Sequence, residues 1–177
     1  MRFSSNQLSL PLLLLAAIFL GGCGMFNTTP PAPAPTLATP HDQVAAIRAA
    51  GKREQSIIDV NPLSDPGISA LQDAARHDEQ TGKYADAAAK LDQAIKLNPD
   101  SPDLLQDRAE MAIRLKDYAR AEQLAHQSWA LGPKLGPLCA RNWQTVVEMR
   151  LQANDKAGAD TARKWVQKCH KAGIPRY

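Results

Sequence analysis

The chain has few of the residues with which proteins do chemistry. Its 177 residues include three cysteines and four histidines. His41, His77, His126 and His170 are scattered, and no two stand at the spacing that lets one helix offer paired ligands, so a metal site has no support. Cys23, Cys139 and Cys169 are far apart and form no Cys-x-x-Cys pair, which argues against a redox centre. No nucleophile stands beside a base, and no glycine-rich loop is present to cradle phosphate. The neighbouring acids Asp78–Glu79 and Asp100–Asp103 read as surface and cap residues, with Asp103 suited to the first turn of a helix. Ser128 falls where a small packing residue is wanted. The sequence therefore predicts no catalytic residue, no cofactor and no metal. The longest apolar run, Leu8–Leu20, is too short for a comfortable membrane-spanning helix.

That run has a different use. In "MRFSSNQLSLPLLLLAAIFLGGCG", Arg2 gives a positive start, the apolar stretch follows, and small residues lead to Cys23. This is the layout of an export signal over residues 1–22. The run "LGGC" resembles a bacterial lipobox, although Gly21 is not the commonest residue two places before the cysteine. The resemblance implies cleavage before Cys23 and a diacylglycerol on its thiol. An ordinary signal peptide cut near the same place is the alternative, but it would not need a lone cysteine at the junction. Gly24 follows, not aspartate, which resembles lipoproteins sorted to the outer membrane. Each buried methylene of the lipid contributes ~0.8 kcal/mol, so such an anchor would be durable. Residues 23–40 continue with "GMFNTTPPAPAPTLATP", uncharged and proline-rich, an extended tether reaching roughly 50 Å at about 3.1 Å per residue. The expected place is the outer membrane, facing the periplasm, which makes nucleic acid an improbable partner.

Residues 41–64 form an N-terminal segment of their own. Val44, Ile47 and Ala50 lie three apart, a helical spacing, and Gly51 is expected to end or weaken that helix. "REQSIIDVNPL" is ambiguous between an irregular stretch and a second short helical piece. Residues 65–177 are clearer. Asp65 is placed to cap a helix that begins at Pro66, carries Ile68, Leu71 and Ala75 on one face and stops at Gly82. A second helix runs from Tyr84 to Leu97 and halts at "NP". Ser101 and Pro102 then repeat the start, with Leu105, Ala109 and Ala112 on the apolar face.

The decisive feature is a thirty-four-residue step. Tyr84 recurs as Tyr118, Ala87 as Ala121, Leu97 as Leu131 and Pro99 as Pro133; Leu71 and Ala75 recur as Leu105 and Ala109. This period resembles the tetratricopeptide repeat. Small residues recur because antiparallel helices approach closely only where side chains are small, here Ala75 against Ala87, with Ala94 toward the next hairpin. A divergent third unit fits if about four residues are inserted near "KLGP": Trp143 then matches Leu105, Val147 matches Ala109, and Ala159 matches Ala121. The fold class expected is all-α, a short α-solenoid of about three such hairpins behind a signal peptide and proline-rich tether.

Within the resemblance, Cys139 starts the first helix of the third hairpin and Cys169 ends the second. Antiparallel packing brings these ends together, and an oxidising compartment permits a bridge; two buried thiols are the alternative. The concave face of stacked hairpins is lined by their first helices, which gives Gln72, Gln106 and Gln144 equivalent places. Arg76, Glu110 and Glu148 lie one turn on, followed by Ile113 and Leu151. One reading makes this strip an amide ladder for a protein or an extended peptide; the plainer reading is that glutamine suits an exposed helix. Charge is uneven: residues 65–110 hold ten acids and five bases, residues 111–177 five acids and twelve bases. That basic end suits an anionic lipid or acidic partner, or is simply a solvated face. The function expected is a non-enzymatic, lipid-anchored periplasmic scaffold or assembly factor. A structural envelope component touching peptidoglycan, or an accessory regulator of a cell-wall enzyme, is the alternative.

Overall fold

Three left-handed residues mark the molecule's periodicity. Gly82, Lys116 and Asn154 have φ of 77°, 62° and 59°, and they stand thirty-four and then thirty-eight residues apart. Just after each, an amide donates to the carbonyl five residues back: Lys83 to Asp78, Asp117 to Ala112 and Asp155 to Arg150, all at 2.8 Å. This is the helix stop in which a left-handed residue lets the chain turn back and satisfy an end carbonyl.

These turns join the helices of a computed structural model that describes residues 41–54 and 65–170. The described residues contain seven helices: α1 (Gln43–Arg53), α2 (Pro66–Gln80), α3 (Tyr84–Leu97), α4 (Pro102–Arg114), α5 (Tyr118–Leu131), α6 (Pro137–Gln152) and α7 (Lys156–Lys168). No helix among them is long and apolar enough to cross a membrane. The leader, Cys23, the tether, residues 55–64 and the last basic residues lie outside the described residues.

Helices α2–α3, α4–α5 and α6–α7 are three antiparallel hairpins stacked in order. The Asp65 carboxylate accepts from the amides of Gly67 and Ile68 at 2.7 and 3.4 Å, and Pro66, which has no amide hydrogen to satisfy, opens α2. Ser101 and Pro102 do the same for α4. Ala75, Ala87 and Ala94 are buried together with Leu91, Leu104 and Met111, where backbones come close. Ser128 occupies the place of Ala94 one repeat later. Its hydroxyl donates to the Pro102 carbonyl at 2.7 Å, so the extra oxygen is satisfied in a fully buried site.

The four added residues of the third unit divide between two places. The link from α5 to α6 is one residue longer than that from α3 to α4, and α6 has three more residues than α4. Nearly a full extra turn, Pro137–Cys139, therefore projects from the start of α6. Cys139 on this turn is bridged to Cys169, with Cα atoms 5.6 Å apart. Gly136 donates its amide to the Cys169 carbonyl at 2.7 Å.

All three tryptophans converge beside this bridge. Trp143 and Trp165 stack with centroids 5.1 Å apart, and Trp129 meets both edge-on at 5.4 and 5.9 Å. The Lys134 and Lys168 ammonium groups lie 4.4 and 4.1 Å from the Trp129 and Trp165 ring centres. The cluster gives the last hairpin an apolar cover where no further repeat stacks among the described residues.

The first helix departs from the order of the chain. Helix α1 packs chiefly on α6, with a smaller contact to α4, although the chain enters α2 next. Val44, Ile47 and Ala50 are buried, the first two against Ala112, Ile113 and Met149. Gly51 does not end the helix, as its residue type suggested; α1 continues to Arg53. A Cβ at Gly51 would stand 2.8 Å from Arg141 Cγ and 3.2 Å from the Pro137 carbonyl oxygen. Its missing side chain is thus a packing requirement. We expect Gly51→Val to destabilise the protein by about 1–3 kcal/mol despite the better helix former, because the Arg141 side chain it would strike is held in place by Glu110 and Asp107 and the Pro137 carbonyl is backbone. Chemical denaturation of the two proteins side by side measures this.

Candidate functional site

The first helices of the hairpins, α2, α4 and α6, line one face, and α1 lies across its α4–α6 half. This changes the standing of the residues that sequence placed there. Gln106 and Glu110 are 0% exposed, and Ile113 and Glu148 are also buried. Gln144 is half-buried, while Leu151 is exposed at the end of α6. The continuous open strip expected over Gln106, Glu110, Ile113 and Glu148 is therefore corrected: α1 meets Glu110, Ile113 and Glu148, and Gln106 is buried against Thr145 of α6.

The amide ladder is corrected as well. Gln106 donates to Glu110 Oε1 at 3.2 Å and to Thr145 Oγ1 at 3.0 Å. Gln144 donates to Glu148 at 2.8 Å. Both donors of Gln106 and one of Gln144 are thus committed to the floor of the groove and are not presented to a peptide backbone.

Glu110 is the centre of the floor. Arg141 donates to its Oε1 through Nε and Nη2 at 3.0 and 2.6 Å, and from Nη2 to Asp107 at 2.7 Å. Arg48 of α1 donates to Glu110 Oε2 at 2.7 Å and to Glu79 at 2.8 Å. Burial alone would lower the pKa of Arg141, but the carboxylates of Glu110 and Asp107 outweigh it and hold the guanidinium above the ordinary arginine value. The same balance raises Arg48, with Glu79 and Glu110 opposing the cost of burial. Both arginines are charged at any pH the protein can survive.

Further pairs fix the two ends of α1. His41 Nε2 lies 2.8 Å from Glu148 Oε2, and Arg114 donates to Asp42 at 3.0 Å. At the other end His170 Nδ1 lies 2.9 Å from Glu54 Oε2. Burial opposes ionisation of Asp42, but the Ala45 amide and the Arg114 guanidinium outweigh it and hold its carboxyl below the usual value. No spacing in the sequence signals these contacts, which join residues more than sixty positions apart. Arg48 and Arg141 were missed as site residues because their partners lie on other helices, thirty-one to sixty-two positions away.

Between α1, α2 and α4 the groove remains open. A cavity of about 440 Å³ is lined by Gln72, Arg76, Glu79, Met111, Arg48 and Arg141, among others. Gln72 is half-buried and Arg76 exposed. Of the strip read from sequence, these two side chains line the cavity.

Residues 80–139 match the family model of the tetratricopeptide repeat. The hairpins are tetratricopeptide-like in fold. Solved structures agree with the module along more of its length. The globular C-terminal domain of LpoP from P. aeruginosa is 28% identical, with a TM-score of 0.56 over 59% of this chain and 99% of that one. The type III secretion translocator chaperone SycD of Yersinia enterocolitica is 19% identical, with a TM-score of 0.55 over 62% of this chain and 80% of that one. The first such repeat domain of Spaghetti (RPAP3), solved with an HSP90 peptide, is 20% identical, with a TM-score of 0.54 over 60% and 82%. No curated protein matches the sequence. In this stack of tetratricopeptide-like hairpins, the concave face has two parts: one filled by α1 and one open at Gln72 and Arg76.

Proposed function

We propose that this protein is a lipid-anchored scaffold of the bacterial outer membrane, facing the periplasm, that holds another envelope protein in its concave groove. The cavity beside α1 carries this reading. Stacked helical hairpins create concave surfaces used for binding, and here part of that surface is left open with polar and apolar side chains both exposed to a guest. The similar folds support an interaction role: one is a translocator chaperone and another was solved with a bound peptide. The similarity to a domain described as globular and C-terminal suits a module carried behind an N-terminal leader and tether. The lipid on Cys23 and the outer-membrane address rest on the "LGGC" run and on Gly24. The guest enters past Gln72 and Arg76, the reachable part of the original strip, and the module acts by holding it, without catalysis.

Two experiments in intact cells test the two halves of this reading. A photoreactive residue at Gln72 is expected to capture a specific envelope protein, while the same residue at Gln93, exposed on α3, captures none. Capture at Gln93 alone rejects the groove. Separately, Cys23→Ser is expected to move the protein out of the membrane fraction; retention there rejects the lipid anchor.

A further inference from the structure

We infer that the α4–α6 floor is a receptor for a basic amphipathic helix, and that α1 is its exchangeable in-chain occupant. This deepens the scaffold reading, on which it rests, by naming the kind of partner the covered half of the groove accepts.

The floor is acidic where α1 sits. Glu110 and Glu148 are buried, Glu79 lies at the edge, and α1 brings Arg48 and His41 to them. A helix matches the surface for a steric reason. Val44 and Ile47 fill the apolar depression formed by Ala112, Ile113 and Met149, while Ala50 and Gly51 let the helix lie close at the start of α6. An extended peptide would need backbone partners, and Gln106, the floor's fully buried amide, has both donors already committed.

The floor also closes on itself without α1. Gln106 bonds to Glu110 and Thr145, Thr145 donates to the Arg141 carbonyl, Arg141 holds Glu110 and Asp107, and Gln144 holds Glu148. Departure of α1 would return one oxygen of Glu110 and one of Glu148 to water and would break no bond between α4 and α6. An eleven-residue helix is marginal by itself in water, so α1 unfolds as it leaves and a better helix displaces it by mass action. The consensus of the favoured guest is that of α1: apolar residues three apart, arginine immediately after the second, and a small pair two and three residues beyond the arginine.

The test uses the full chain. Hydrogen exchange is expected to show α1 amides exchanging at least roughly tenfold faster than those in the middle of α4. A labelled peptide of residues 41–54 is expected to bind a Val44→Asp/Ile47→Asp variant, whose own α1 is unseated, at least about tenfold more tightly than wild type. Arg48→Glu in the peptide should remove most of that binding, since it places a carboxylate against Glu110. Equal exchange in α1 and α4, loss of the hairpins in the double variant, or failure of the peptide to bind the folded variant each overturn the inference. Preferential binding of a polyglutamate peptide overturns its charge assignment. Capture at Gln72 is independent of all these results, so the scaffold reading stands or falls separately.

Discussion

Replacing Glu110 by alanine is expected to cost about 3 kcal/mol, at the lower end of what breaking a buried ion pair costs. The carboxylate is fully buried and is shared by Arg48 and Arg141. Its removal leaves Arg141, which is mostly buried, with Asp107 as its remaining acid. It also leaves Gln106 without one of its two acceptors. Arg48 is far less affected, because its head group is partly in water and retains Glu79. Arg48→Ala should therefore cost only about 1 kcal/mol, as partly exposed pairs do. For a module of this size the Glu110 variant should melt on the order of 10–20 °C lower. Thermal unfolding of the two variants beside wild type decides the matter: equal small losses would mean that Glu110 is solvated and that the floor is not the buried network described here.

Removing the bridge with Cys139→Ala and Cys169→Ala is the other large effect. The bond spans thirty residues. Closing a loop of that length removes unfolded-state freedom worth about 3.5 kcal/mol in the chain-entropy model. Here the loss acts on the end of the solenoid, where α7 has no later repeat to hold it among the described residues. The Gly136–Cys169 backbone bond and the His170–Glu54 contact lie at the same end, so both should loosen first. The expected result is a large fall in melting temperature, matched by wild type in reductant and absent when reductant is added to the variant. The indole cluster provides a second signal, because separating Trp165 from Trp143 changes near-ultraviolet dichroism. If wild type were indifferent to reductant, the staple would have no role in stability.

Much of the architecture could be read along the chain because it is local and repeated. Asp65–Pro66 and Ser101–Pro102 start helices through their own side chains and ring geometry. Gly82 stops one, and alanines recurring at thirty-four residues pack neighbouring hairpins. Such signals involve residues within a turn or one repeat of each other, so a period exposes them. The inserted turn of the third unit was visible as a phase shift, but one use of it was not: it puts the Pro137 carbonyl beside Gly51. Gly51 illustrates the limit. Its type suggested a helix end, yet the absence of its side chain serves a neighbour ninety residues away.

The sequence by itself determined three hairpins, their order and the small residues that let them stack, since each rests on capping, turning or packing between nearby segments. Tertiary structure alone decided that α1 would cross to the last hairpin and cover Glu110, Ile113 and Glu148. That choice depends on a shape assembled from α4 and α6 together, with a shared carboxylate between two arginines, and no periodicity along the chain records such a surface. The open remainder of the groove, at Gln72 and Arg76, is what that crossing leaves for a partner.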